Sequence, residues 1–214
     1  MAVSVILLIV TGLPIKFHEA AWAQFFFRLT GGLEAVRIIH RVGASLLILV
    51  GIWHMLWLLT ATGRRDFWLL LPRRKDLLDF FLNAKQMLGL TKERPQFGRY
   101  SYVEKFDYWA VYWGMVIMIG TGLFLWFHDL AMTYLPKYVL DIAREAHSDE
   151  AMLATLAIVI WHWYNTHFNP SAFPFNPTIF TGKIPKHRMI EEHPLEYEEM
   201  LQKREQQQER EREG

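Results

Sequence analysis

Four histidines lie in two hydrophobic segments of the sequence at nearly equal spacings. His54 follows His40 at position i+14, and His162 follows His147 at position i+15. In an α-helix, each pair would be about 21–22 Å apart along the axis and within about 60° of the same face. That separation approaches the thickness of a hydrocarbon core, about 30 Å. Two layers of paired imidazoles are what two stacked haems require, because histidine is a common axial ligand of haem iron.

A single histidine inside a membrane is often a hydrogen-bond partner between helices or a proton relay. Four histidines with matched spacing favour ligation over that interpretation. An iron with imidazole on both faces has no open position for oxygen, which suits electron transfer. We therefore expect an outer haem held by His40 and His147 and an inner haem held by His54 and His162.

Composition is typical of a membrane protein. Hydrophobic residues make up 52% of the 214 residues and aromatic residues 15%, while charge is concentrated in the connections and the C-terminal end. The net charge is only +1, and we expect the lipid bilayer, and no nucleic acid, as a partner. The absence of cysteine excludes disulfides, covalently attached haem and thiolate-held iron–sulfur clusters in this chain. Further redox centres must therefore lie in partner subunits.

Hydropathy predicts an all-α protein, a transmembrane four-helix bundle in residues 1–183 followed by a charged cytoplasmic tail in residues 184–214. The four spans are expected at about residues 1–17, 34–62, 105–127 and 146–167. No basic leader precedes the first apolar run, so a signal peptide is a poor interpretation of it.

A short repeat relates the two halves of the chain. The motif Thr-Gly-Leu begins at Thr11, near the end of the first span, and recurs at Thr121, near the end of the third. The ligand histidines recur in the same order and at nearly the same offset, His147 after His40 and His162 after His54. The sequence therefore predicts a parallel repeat of two helical hairpins. By this alignment the first span lacks a helical turn or two, so we expect its true start upstream of Met1.

The distribution of positive charge predicts the orientation. The connection between the second and third spans is rich in basic residues, namely Arg64, Arg65, Arg73, Arg74, Lys75, Lys85, Lys92, Arg94 and Arg99. By the positive-inside rule, this connection and both termini should be cytoplasmic in a multi-pass protein of the bacterial inner membrane. Between Pro72 and Gly89 we expect an amphipathic interfacial helix, with Leu77 and Phe81 on its apolar side.

Small and basic residues near the histidines fit a haem pocket. Four glycines would let a porphyrin approach a helix backbone: Gly43, Gly51, Gly114 and Gly120. Arg37 and Arg41 would meet the propionates of the outer haem. For the inner haem, Arg64 or Lys105 would take that role.

Polar residues at the inner boundary predict a quinone site. Asn165 and His167 can hydrogen-bond quinone carbonyls, and Glu104 or Asp107 could pass protons to the cytoplasm. His167 lies about 140° around the helix from His162 and should face another surface.

The remaining histidines have no predicted role in this chemistry. His18 and His128 are expected at the outer boundary of the membrane, and His187 and His193 are expected to be solvated in the tail.

The segments around the histidines resemble a known group of proteins. Residues 37–43 (RIIHRVG) and 161–168 (WHWYNTHF) are similar to bacterial di-haem cytochrome b membrane subunits. That group includes subunits of formate dehydrogenase, nickel–iron hydrogenase and thiosulfate reductase, and the likeness extends to about Lys183. It implies two b haems that exchange electrons between menaquinone or ubiquinone and a periplasmic partner, either a multihaem cytochrome c or an iron–sulfur subunit. The chain would be the quinone-reactive subunit of a respiratory oxidoreductase.

One departure from this group leaves the inner ligands open. Members similar to the formate dehydrogenase subunit have a histidine early in the first helix that helps to hold the inner haem, and this sequence has none. The inner ligands are therefore His54 with His162, or a histidine upstream of Met1 with His162 or His167. The alternative function is a haem-free transporter or channel whose histidines relay protons.

Overall fold

The computed structural model describes residues 1–170 and 172–213, and every regular element in them is helical. Ser171 and Gly214, the last residue of the predicted tail, lie outside the described residues. The α-helices are α1 Ala2–Lys16, α2 Ala21–Thr30, α3 Leu33–Leu58, α4 Ala61–Leu70, α5 Arg74–Met87, α6 Tyr102–Trp126, α7 His128–Tyr134, α8 Lys137–Leu156, α9 Thr178–Thr181, α10 Lys186–Glu192 and α11 Pro194–Glu213. Two π-helical segments follow α8, π1 Ala157–His162 and π2 Tyr164–Phe168. The predicted all-α class is confirmed.

Two helices have the length and composition of membrane spans. Within residues 1–170 and 172–213, only α3 and α6 are both long and apolar enough, with 26 and 25 residues. Helix α1 is apolar but has only 15 residues. In the most apolar stretches of α3 and α6, 17% and 6% of the residues are buried, so their apolar side chains face outward. A helix that is apolar all round and exposed suits a lipid environment.

The predicted fourth span falls on α8 and the two π segments. Helix α8 begins at Lys137, and charged residues such as Asp141, Arg144 and Asp149 lower the hydropathy of its first part. A π-helix forms i→i+5 hydrogen bonds and turns less per residue than an α-helix. The α-helical spacing used for His147 and His162 therefore applies only as far as Leu156.

The first of two compact units comprises Met1–Gly63 and Val111–Trp161. Helix α1 packs along α3, and the two helices approach closely at Gly43, where an added Cβ would lie 3.2 Å from the Leu8 side chain. A small core of Ala23, Phe27 and Val36 joins α2 to α3.

The second unit comprises Arg64–Ala110 and the chain from His162 onward. Helix α5 occupies the position predicted for the amphipathic helix, and Gly89 follows it with a φ of 72°. Leu77 and Phe81 are exposed, as contact with a membrane surface would require, but that placement stays a prediction. Lys105 is buried and its Nζ lies 2.8 Å from Oδ1 of Asp76. The ammonium group of Lys105, which was expected to meet a propionate, is therefore paired with Asp76 instead.

The expectation that His193 is solvated was wrong. Its exposed fraction is only 7%, and its Nδ1 lies 2.7 Å from the carbonyl oxygen of Gly98. The N–H of Leu195 donates to the carbonyl of Phe97 at 3.1 Å. The tail thus packs against the connection where α11 begins, and the rest of α11 is charged and largely exposed.

Candidate metal centre

His40 on α3 and His147 on α8 face each other within the first unit. Their ring centroids are 6.5 Å apart, and the ring planes are inclined by 75°. Two imidazoles on opposite sides of one metal ion, with metal–nitrogen bonds of about 2.0–2.1 Å, would have their centroids about 6.4 Å apart. The predicted outer pair therefore has a separation that fits a shared iron, although its ligation stays a prediction.

A threonine hydrogen-bonds each of these rings. Thr11 Oγ1 lies 2.8 Å from His40 Nδ1, and Thr121 Oγ1 lies 2.9 Å from His147 Nδ1. Each hydroxyl also donates to the carbonyl four residues before it, at 2.6 Å in both cases. Because a hydroxyl has one proton, Oγ1 must accept the Nδ1–H of the ring. Both neutral rings then carry their lone pair on Nε2, the atom that a metal would bind.

The glycines that follow these threonines let the backbone approach the rings. A Cβ added to Gly12 would lie 3.3 Å from His40 Cε1, and one added to Gly122 would lie 3.1 Å from His147 Cε1. The threonines and these glycines had served in the sequence only as markers of the repeat. Gly43 faces α1 instead, and its role beside a porphyrin stays a prediction.

The two candidate ligands of the inner haem lie in different units. His54 is on α3, and its ring stacks on Trp57 with the centroids 5.6 Å apart. His162 ends π1, and its Nδ1 lies 3.0 Å from Oδ2 of Asp107. An Nδ1–H donated to a carboxylate leaves the lone pair on Nε2 and makes it a stronger metal ligand. The pairing of His54 with His162 stays a prediction.

His167 has the opposite hydrogen-bonding arrangement. The backbone N–H of Asn176 donates to its Nδ1 at 3.3 Å, and its ring stacks on Phe175 with the centroids 4.6 Å apart. Since Nδ1 accepts, the neutral ring carries its proton on Nε2. A protonated Nε2 can donate a hydrogen bond but cannot bind a metal. This geometry favours His162 over His167 as a ligand.

Other predicted site residues already have partners. The carboxylate of Glu104 accepts the N–H of Ser101 at 2.7 Å and so caps the start of α6. The backbone carbonyl oxygen of Asn165 accepts a hydrogen bond from the side-chain amide of Asn169 at 2.7 Å.

The two arginines beside the outer pair are exposed on α3. Arg37 forms an ion pair with Glu34 at 2.5 Å. The guanidinium of Arg41 lies 5.6 Å from the centre of the Trp126 ring. Their contact with propionates stays a prediction.

A comparison with known protein families also indicates a haem protein. A family model described as prokaryotic cytochrome b561 matches residues 1–170. The chain belongs to the prokaryotic cytochrome b561 family. It is therefore a membrane-bound electron-transfer protein that carries b-type haem, and the resemblance to bacterial cytochrome b membrane subunits is confirmed. A comparison with curated proteins found no match.

The residues of the first unit fit a b haem. Within residues 1–170 and 172–213, no group of three or more His, Cys, Asp or Glu side chains could hold a metal ion. A facing pair of neutral imidazoles is the axial donor set that a haem needs, since the porphyrin supplies the other four ligands. The ring centroids of His40 and His147 lie 6.5 Å apart, the separation that such a pair requires.

Proposed function

We propose that this cytochrome b561 family member is a di-haem subunit that carries electrons between a membrane quinone and a periplasmic redox partner. The observation that supports it most directly is the pair His40 and His147, whose rings are 6.5 Å apart with their Nδ1 atoms both held by threonines. A haem with two histidine ligands supplies one-electron transfer with no open coordination position.

In this proposal four spans form the bundle, namely α1, α3, α6 and α8 with its π continuation. His40 and His147 bind the outer haem, and His54 and His162 bind the inner one. Arg37 and Arg41 lie on α3 close in sequence to His40, where they would neutralise propionates. The carboxylate of Asp107 orients the ring of His162 through its contact with Nδ1.

The quinone, menaquinone or ubiquinone, would bind at the inner boundary. His167 has its proton on Nε2 and so can donate to a quinone carbonyl, and Asn165 lies two residues before it. Glu104 or Asp107 would then move protons to the cytoplasm. Because the chain has no cysteine, the periplasmic partner would supply the next redox centre, as a multihaem cytochrome c or an iron–sulfur subunit.

A double replacement tests the quinone site. His167→Ala with Asn165→Ala removes two hydrogen-bonding groups, each contributing about 1 kcal/mol, so quinol-dependent haem reduction should slow by roughly thirtyfold. Both haems should remain bound. His187→Ala, which changes an exposed histidine of α10, is the matched control. Quinol should reduce its haems at the normal rate. Unchanged kinetics and inhibitor sensitivity in the double variant would reject this location for the quinone.

The topology has its own test. Both termini and the connection between the second and third spans, residues 63–104, would be cytoplasmic, because that connection is rich in arginine and lysine. A reporter inserted within residues 75–92 or fused after Gly214 should be active only in the cytoplasm. One inserted within residues 134–141 should be active only in the periplasm. The reverse pattern would invert the proposed orientation.

A further inference from the structure

The motif that marks the internal repeat also holds both imidazoles of the outer pair. Thr11 and Thr121 stand at equivalent positions of the two halves, and each binds the Nδ1 atom of a different histidine. We infer that Thr11 and Thr121 are positioning residues that fix the tautomer and ring rotation of His40 and His147 and lower the reduction potential of the iron between them. The inference rests on the proposed outer haem.

The orientation of each hydroxyl is set by its own helix. Threonine in a helix can donate to the carbonyl one turn earlier, and here both hydroxyls do so at 2.6 Å. Water is scarce in a bilayer and so does not compete for that carbonyl. The hydroxyl proton is therefore committed, and Oγ1 presents only acceptor lone pairs to the ring.

The ring is held on two sides by the same motif. The hydroxyl contacts Nδ1, and the adjacent glycine lies close to Cε1, where a Cβ would be 3.3 Å away at Gly12 and 3.1 Å away at Gly122. A half-turn of the imidazole would place a carbon atom opposite Oγ1 and lose the hydrogen bond. One ring orientation is thus preferred, and in it Nε2 has the lone pair.

The same hydrogen bond affects the electronic character of the ligand. Donating Nδ1–H to an oxygen gives the ring partial anionic character and raises the basicity of Nε2. A more basic ligand stabilises ferric over ferrous iron, which lowers the reduction potential. For a one-electron couple, each tenfold change in the ratio of ferric to ferrous binding corresponds to about 59 mV.

Valine replacements test the inference in the purified full-length, haem-loaded protein. Thr11→Val and Thr121→Val keep the shape of the side chain but remove the hydroxyl. We expect each to weaken retention of one haem by about 10–100-fold, the usual effect of losing such a partner. The fraction of this same haem that stays bound should show a raised midpoint potential in an optical redox titration. Thr11→Ser and Thr121→Ser keep the hydroxyl, so haem retention and the midpoint potential should both be normal in these variants.

Thr155 provides the matched control. Its hydroxyl donates to the carbonyl of Ala151 at 2.7 Å in α8, the same helix-backbone bond as in the two motif threonines. Thr155→Val should leave the haem content and the potentials unchanged. An equal effect at Thr155 would overturn the inference, because helix stability alone would then explain the loss.

Gly122→Ala is a second variant that keeps the hydroxyl and displaces the ring of His147. We expect the low-spin ferric EPR signal of one haem to change while the haem stays bound. If the valine variants keep normal potentials and Gly122→Ala keeps a normal EPR signal, the inference fails while the outer haem stands. If the unaltered protein binds no haem, the proposed function fails as well.

Discussion

Replacing His40 or His147 with alanine should remove about one haem per chain and leave the other haem bound. Each replacement deletes one of the two axial bonds to the same iron, so both should affect the same haem. The double variant should lose no more than either single variant. The haem content per purified chain, measured together with the midpoint potential of the remaining haem, checks the result.

His128→Ala is the matched control for this experiment. His128 begins α7, is exposed, and lies 3.2 Å from the carboxylate of Asp129, so its imidazole takes no part in the pair. It should retain both haems. Full haem content in His40→Ala or His147→Ala would reject the outer pair as ligands.

Replacing His162 with alanine should remove the other haem, whereas His167→Ala should retain both. The reason is the position of the ring proton, since His162 offers Nε2 to a metal and His167 does not. Asp107→Asn distinguishes two possible effects of this carboxylate on His162, the orientation of the ring and the influence of the negative charge. Its amide oxygen can still accept the Nδ1–H, so the haem should remain bound, but with a higher midpoint potential because the anionic partner is gone.

Haem analysis of these three variants decides between the alternative inner ligands. Loss of a haem in His167→Ala together with full retention in His162→Ala would contradict the assignment. An unchanged potential in Asp107→Asn would show that this carboxylate does not act on a ligand.

Much of the fold follows from hydropathy alone. Helices α3 and α6 match their predicted spans within a few residues, except that α3 ends at Leu58 rather than continuing to Thr62. Long and mostly apolar segments determine both helices. The start of α8 at Lys137 was missed because charged residues there resemble a connection rather than a span. The π segments have no comparable signature, since π-helices are rare and favoured by local context.

Histidine spacing predicted that His40 and His147 lie opposite each other, but it did not predict the threonines that hydrogen-bond their rings. The repeat placed Thr11 and Thr121 at equivalent positions, yet only the packing of helices shows that each hydroxyl reaches a ring. The proton positions on His162 and His167 likewise depend on Asp107 and Asn176, partners that spacing does not reveal. Burial of His193 arises from a contact with Gly98, which is distant in the sequence.

The haem content and the visible spectrum of the purified chain test the central claim most directly. We expect two haems per chain, with the sharp red-shifted bands of bis-histidine b-type haem on reduction and two midpoint potentials in a redox titration. A single haem that survives in His162→Ala and disappears in His40→Ala would limit the chain to the outer site. A protein that is folded in the membrane but holds no haem would contradict the claim and favour a transporter or channel.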